Sequence, residues 1–263
     1  MKKKGFTLIE LLVVIAIIAL LLAILVPSLG KAKEMAKELV CLTRMKQWSL
    51  IVNLYGNDYD SKFPDYKCFG PIAGAGHWWM QSLRPYYDDP KIRLCPSAER
   101  LPEGVDPLDP LTNRNPNQCW GAINPYPELE AGDFIYGSLG ANCWMLSDVA
   151  STNAVADRYW GKQSGATWDV PLFLDCYWVD GWPNENNLPQ DDPDDPSTWD
   201  ITQAMQLFNI DRHGGGVSVT FMDGSCRKVG LKGLWRLKWH RKFNTGNATT
   251  VPGFIWPDWM EGL

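Results

Sequence analysis

The side chains with chemistry to offer are few and far apart. Glu10 stands at the edge of an apolar run that carries no other charge before Lys31. A carboxylate against hydrocarbon is costly, and such residues are usually paired or functional. Near the other end, His213 is separated by nine residues from Asp223-Gly224 in the stretch HGGGVSVTFMDG. A His and an Asp invite an acid–base reading. If Val217 to Met222 forms a strand at about 3.3 Å per residue, the two lie well beyond the roughly 3 Å that proton transfer demands. Asp223 is then the turn residue before Gly224, and His213 anchors the strand end. No Ser/His/Asp set, P-loop, HExxH or GxSxG occurs elsewhere, and His77 and His240 complete the histidines. Enzyme is the least supported class, and the sequence assigns no catalytic residue and no cofactor.

Seven cysteines are scattered as Cys41, Cys68, Cys95, Cys119, Cys143, Cys176 and Cys226. None forms a CxxC or shows zinc-finger spacing with a His, which argues against a structural zinc site. Scattered cysteines in an exported domain read as disulfide partners or as buried small hydrophobes. The formal charge of −5, with no basic stripe interleaved with aromatics, argues against a nucleic-acid partner. At 45% hydrophobic residues, the chain has enough apolar surface for a buried core.

The element that must position Glu10 is a helix. From Leu11 to Leu29 only Pro27 and Ser28 interrupt aliphatic residues and Ala. About 20 helical residues cross the roughly 30 Å hydrocarbon core of a bilayer. Lys2, Lys3 and Lys4 also suit the n-region of a secretory signal, but the apolar run is long for one and no A-x-A follows, so the segment is expected to be retained. Lysines flank it on both sides and leave orientation open on charge alone. A short front tail and a long Cys- and Trp-rich domain behind it favour N-in, C-out. Met35, Leu39, Leu42, Met45, Trp48, Val52 and Tyr55 continue an apolar stripe at helical spacing, with Gly56-Asn57-Asp58 as a stop signal. One helix from Phe6 to about Tyr55 would be roughly 75 Å long.

Beyond it the chain is loop-rich. Residues 77–83 read as a short helix. Phe134-Ile135-Tyr136, Asn142-Cys143-Trp144-Met145 and Pro171 to Val179 read as strands. Alternation over Val217, Val219 and Phe221 with a turn at Asp223-Gly224 predicts a hairpin across residues 213–229, and Leu231 to Phe243 has helical spacing. Most of the 14 tryptophans are expected in the core. Trp182, Trp199, Trp256 and Trp259, flanked by Asp, Pro and Gly, are the candidates for surface aromatic contacts.

KKKG-FTLIE followed by an aliphatic helix with Pro27 closely resembles the start of type IV prepilins and type II secretion pseudopilins. The resemblance implies cleavage between Gly5 and Phe6 by a prepilin peptidase, N-methylation of Phe6, and retention of the helix. It implies that Glu10 meets the charged N-terminus of a neighbouring subunit during assembly, in place of merely snorkelling to the interface. It also implies that Pro27 marks a stretch that unwinds in the filament. His213 with Asp223-Gly224 resembles the H-x9-DG signature of a group of bacterial prepilin-like proteins. Cys41-Leu-Thr-Arg-Met-Lys-Gln and Leu94-Cys95-Pro96-Ser97 fit that group as well, and its presumed pairing joins Cys41 to Cys95. Some pseudopilins hold calcium in a late loop. Asp191-Asp192-Pro193-Asp194-Asp195 lacks the spaced ligands and turn glycine of a calcium loop and reads as solvated.

The expected fold is α+β: a long N-terminal transmembrane and amphipathic helix packed on a small antiparallel sheet with long irregular loops. Its parts are a leader (1–5), a membrane helix (6–30), its amphipathic continuation (31–59) and an extracytoplasmic domain (60–263). The expected function is a structural subunit of a type IV pilus or type II secretion pseudopilus in the bacterial inner membrane. Its partners would be the peptidase, other pilin-like subunits and the lipid bilayer. The alternative keeps the anchor and makes the outer domain an adhesin or glycan-binding module for polysaccharide.

Overall fold

The structure, a computed structural model, describes residues 7–64, 78–98, 116–123, 134–146, 155–163, 167–193, 200, 202–246 and 251–263. It divides into two compact units between Lys37 and Glu38. Helix α1, Leu8–Asp58, belongs to both.

In the first unit, every described side chain from Thr7 to Ala36 is exposed, including the whole aliphatic run. The helix continues through Pro27, although proline has no N–H to give the preceding turn. Ser28 Oγ donates to Leu25 O at 2.8 Å, taking up one carbonyl in that turn. Met35 and Leu39, expected on the buried stripe, are 72% and 66% exposed.

In the second unit, α1 is buried from Cys41 through Met45, Trp48, Ile51, Val52 and Tyr55. The helix ends at Asp58, within the expected Gly56-Asn57-Asp58 stop, and just beyond it Asp60 and Ser61 take left-handed φ of 54° and 60°. Gly56 is a packing residue inside the helix. A Cβ there would meet Gln163 Nε2 at 2.4 Å, and that amide donates to Val52 O at 2.8 Å.

Under α1 lies a five-stranded sheet of β3 (Leu139–Asn142), β4 (Pro171–Asp175), β5 (Asp180–Gly181), β6 (Gly216–Phe221) and β7 (Cys226–Gly230). Its order is β5-β3-β4-β6-β7, antiparallel except where β3 runs parallel to β5. Strands β1 (Trp120–Ile123) and β2 (Phe134–Gly137) pair separately. Helix α2, Trp79–Ser82, falls within the expected short helix.

The expected hairpin is present as β6 and β7, yet all six residues of β6 are buried, the hydroxyl-bearing ones included. Small hydroxyl residues let a helix backbone approach and bond it, and Thr220 Oγ1 donates to Met45 O at 2.7 Å. Three other expectations are corrected. Cys143–Met145 forms a 3-10 turn, with the Asn142 side chain accepting from Trp144 N, where a strand was expected. The strand from Pro171 ends at Asp175, before the expected Val179. The helical spacing after Leu231 yields a 3-10 segment only over Leu231–Arg236.

The tryptophans explain how so loop-rich a domain holds together. An indole is a large apolar plate with one donor that needs a partner when buried. Loop carbonyls outside the ladders need donors in turn. Trp48 donates to Ile92 O at 3.0 Å, Trp79 to Val179 O at 2.7 Å, Trp144 to Pro183 O at 2.8 Å and Trp235 to Asn187 O at 2.7 Å.

Candidate functional site

Two places carry the chemistry. The first is the N-terminal end of α1. Thr7 immediately precedes the helix, and Glu10 is its third residue. Thr7 N and Thr7 Oγ1 donate to Glu10 Oε2 at 2.8 and 2.7 Å, while Glu10 N donates to Thr7 Oγ1 at 3.3 Å. This is a capping box, which satisfies two of the donors a helix start leaves open. The T-x-x-E spacing that spells it is in the sequence as Thr7-Leu8-Ile9-Glu10. Gly5 and Phe6 lie outside the described residues.

The second is a buried polar knot between α1 and the sheet, within the second unit. Cys41 comes from α1, Cys95 from the turn after a 3-10 segment at Pro90–Arg93, Asp175 from the end of β4, and Arg212 and His213 from the approach to β6. All five are buried. Arg212 Nη1 donates to Asp175 Oδ1 at 2.9 Å, and its guanidinium also reaches Ser138 O and Pro116 O, each at 2.6 Å. Ser218 N donates to Asp175 Oδ2 at 2.8 Å. His213 Nε2 lies 3.2 Å from Asp175 Oδ2 and 3.3 Å from Cys95 Sγ. Cys41 Sγ lies 3.6 Å from Asp175 Oδ1.

The electrostatics follow from that packing. Burial alone would raise the Asp175 pKa, but Arg212, His213 and the Ser218 amide outweigh it and hold it at about 2. Burial pulls His213 down, and contacts with Asp175 and Cys95 more than reverse this, to about 9. Hydrogen bonding from Cys41 lowers the pKa of the Cys95 thiol, helped by His213 and Arg212 against the cost of burial. Cys41 is pushed the other way by that same contact, by burial and by the Asp175 charge. The Cys41–Cys95 pairing implied by resemblance is not formed, for both are free thiols. Cys143 is disulfide-bonded.

His213 therefore has Asp175 as its carboxylate, and Asp223 works elsewhere. Asp223 Oδ1 accepts from Ser225 N at 2.8 Å, and Gly224 takes a φ of 81° that a side chain would resist. The Gly224 carbonyl accepts from Lys46 Nζ at 2.7 Å and Ser49 Oγ at 3.3 Å, both on α1. The Asp223-Gly224 end of the stretch thus grips α1 at Lys46 and Ser49, while His213 at the other end meets Asp175 and Cys95. Left-handed Gly214 and Gly215 bring the chain around so that His213 N meets Gly216 O at 3.1 Å. His213 is only 6% exposed among the described residues.

Of the aromatic candidates, Trp182, Trp256 and Trp259 are half-buried and packed against the core. Trp259 Nε1 donates to Gln190 O at 2.9 Å, and Trp256 meets Trp235 edge-on at 5.2 Å. Trp199 lies outside the described residues, as do Asp194 and Asp195 of the acidic loop. Among the described residues the exposed indole is Trp168, at 66%, with the Arg227 guanidinium 5.5 Å over its ring.

The prokaryotic N-terminal methylation motif matches residues 1–26. The chain is 45% identical over 58 residues to the "Type IV wide pilus major component PilA4" of Thermus thermophilus, covering 22% of this chain and 44% of that protein. It is 35% identical over 65 residues to the "ComG operon protein 3 homolog" of Bacillus licheniformis, covering 25% of this chain and 67% of that protein. No solved structure matches it.

Proposed function

This chain belongs to the prokaryotic N-terminal methylation motif family, and from that membership we propose that it is a structural subunit of a type IV pilus or a pseudopilus. It is cleaved after Gly5 by a prepilin peptidase, methylated at Phe6, and held in the inner membrane with its N-terminus cytoplasmic until it joins a filament. The observation that carries this reading is the apolar part of α1. Among the described residues it is one helix long and apolar enough to cross a membrane, and it is exposed on every face from Leu8 to Leu29. So large an exposed apolar surface needs lipid or neighbouring helices to cover it. Farther along, Leu39, Val40, Leu50 and Leu54 stay exposed on α1 while other faces bury, which extends the surface available to neighbouring subunits.

Both Thr7 donors that reach the Glu10 carboxylate use Oε2. Oε1 is the oxygen a neighbour's new α-amino group would meet, and that pairing would offset the cost of a carboxylate in lipid. Pro27 would supply the stretch that unwinds on assembly.

Intact-mass measurement and N-terminal sequencing of the protein from its native membrane test the proposal. The expected product begins at Phe6 with one added methyl group. Retention of residues 1–5, or a start near Lys31, overturns it.

A further inference from the structure

The polar knot contains more than helix docking requires. A buried Arg–Asp pair could be replaced by apolar side chains of similar volume without loss of stability. Neither a disulfide nor a pair of inert thiols calls for an imidazole and a carboxylate aimed at the sulfurs. We propose that Cys41, Cys95, His213 and Asp175 form a tetrahedral site for a divalent, thiophilic metal ion, zinc being the best fit, which ties the stem helix to the outer domain.

The separations are close to those a tetrahedral site needs, with Cys41 the ligand that has to move inward. One ligand atom from each residue can be chosen so that all four lie within 4.8 Å of one another. Zinc bonds of about 2.3 Å to sulfur and about 2.0–2.1 Å to nitrogen or oxygen place tetrahedral ligands about 3.3–3.8 Å apart. The observed separations are 3.3 Å from Cys95 Sγ to His213 Nε2, 3.2 Å from that nitrogen to Asp175 Oδ2, and 3.9 Å from Cys41 Sγ to the same oxygen. Two sulfurs, one imidazole and one carboxylate form a mixed donor set that suits zinc and disfavours the hard cations, which prefer all-oxygen cages.

The surroundings fit as well. Two thiolates and a carboxylate leave one negative charge in excess of a divalent ion, and the Arg212 guanidinium on Asp175 Oδ1 neutralises it. Asp175 is oriented by Arg212 on one oxygen and by the Ser218 amide on the other, the kind of outer contact that fixes a metal ligand. Thiolate ligands must shed their protons to bind, so uptake of the ion releases protons. Because the four residues are buried and Cys41 alone comes from α1, the ion would enter as the helix docks.

The test uses the full chain in detergent, purified without chelators under anaerobic conditions. Elemental analysis should find one zinc per chain. Stripping with a chelator should make Cys41 and Cys95 newly reactive to iodoacetamide, located by peptide mapping, and zinc should protect them again. Cobalt(II) added to the stripped chain should give the intense visible bands of a tetrahedral thiolate site. Cys95→Ser should abolish these bands, and Arg212→Met should weaken metal affinity by about 10–100-fold. If those variants do not fold, the cobalt titration of the unaltered chain still decides. Absence of stoichiometric binding by the reduced chain overturns the proposal, as does a Cys41–Cys95 cross-linked peptide in freshly isolated protein. Metal that persists in a folded Cys95→Ser chain overturns it too.

Discussion

The capping role of Glu10 seen in the structure and the assembly role proposed for it are separable, and three substitutions divide them. Within its own chain the carboxylate completes the Thr7 capping box. In a filament, as proposed, its charge would meet a neighbour's amine. Glutamine at the same position still serves a capping box but carries no charge, so Glu10→Gln keeps the cap and deletes the ion pair. Leaving one partner of a poorly solvated pair uncompensated costs about 3–5 kcal/mol. At about 1.4 kcal/mol per tenfold, the variant should enter filaments at least about 100-fold less well while inserting into the membrane normally. Thr7→Val does the reverse. It breaks the cap, worth about 1 kcal/mol, and retains the charge, so incorporation should fall by no more than about tenfold. Glu10→Ala loses both. The assay is quantitative immunoblotting of sheared filaments against the membrane pool of each variant. Wild-type incorporation by Glu10→Gln, combined with failure of Thr7→Val, would refute the inter-subunit role and leave Glu10 as a cap alone.

Two further outcomes follow from the core. Trp48 is fully buried, edge-on to Trp79 at 4.8 Å and to Tyr87 at 5.0 Å, so Trp48→Ala should destabilise the second unit by about 3–5 kcal/mol in denaturant unfolding; a loss under about 1 kcal/mol would mean that α1 is not seated there. His240 is buried against Glu185 at 3.0 Å, and burial holds its pKa at about 4 in spite of that carboxylate. Because the folded value lies below the unfolded one of about 6.5, its contribution is intact above pH 6.5 and is lost as pH falls toward 4. That loss of stability with falling pH should be absent in His240→Gln.

What could be read from the sequence was local. The apolar run, the TLIE tetrapeptide and the strand–Asp-Gly–strand pattern each lie within a few turns of chain, so spacing alone reveals them. The polar knot could not be read that way. Its members stand at 41, 95, 175, 212 and 213, and no spacing rule for metal or catalytic sites links residues brought together by a sheet and a helix. One signal was available: Asp175 closes the apolar strand PLFLD, and a carboxylate at such a place has to find a partner or stay outside. Arg212 beside His213 was the complementary sign. The 3-10 turn at Cys143–Met145 escaped because its bulky residues suit a strand, and only the cap from Asn142 tips the balance.

Strand β6 shows where the reach of the alternation rule ends. Valine and phenylalanine alternating with serine and threonine establish that the two faces differ; they do not establish that the second face is wet. Here that face meets α1, with Ser218 presenting its amide to Asp175 and Thr220 bonding the helix backbone at Met45. Bulkier residues at these two places would hold the helix away from the sheet, and Cys41 would then lose its reach to Asp175. The short polar side chains of the hairpin and the knot are therefore one device. The same close approach that makes β6 look half-solvated in the sequence also brings a helix cysteine to within 3.6 Å of a buried carboxylate oxygen.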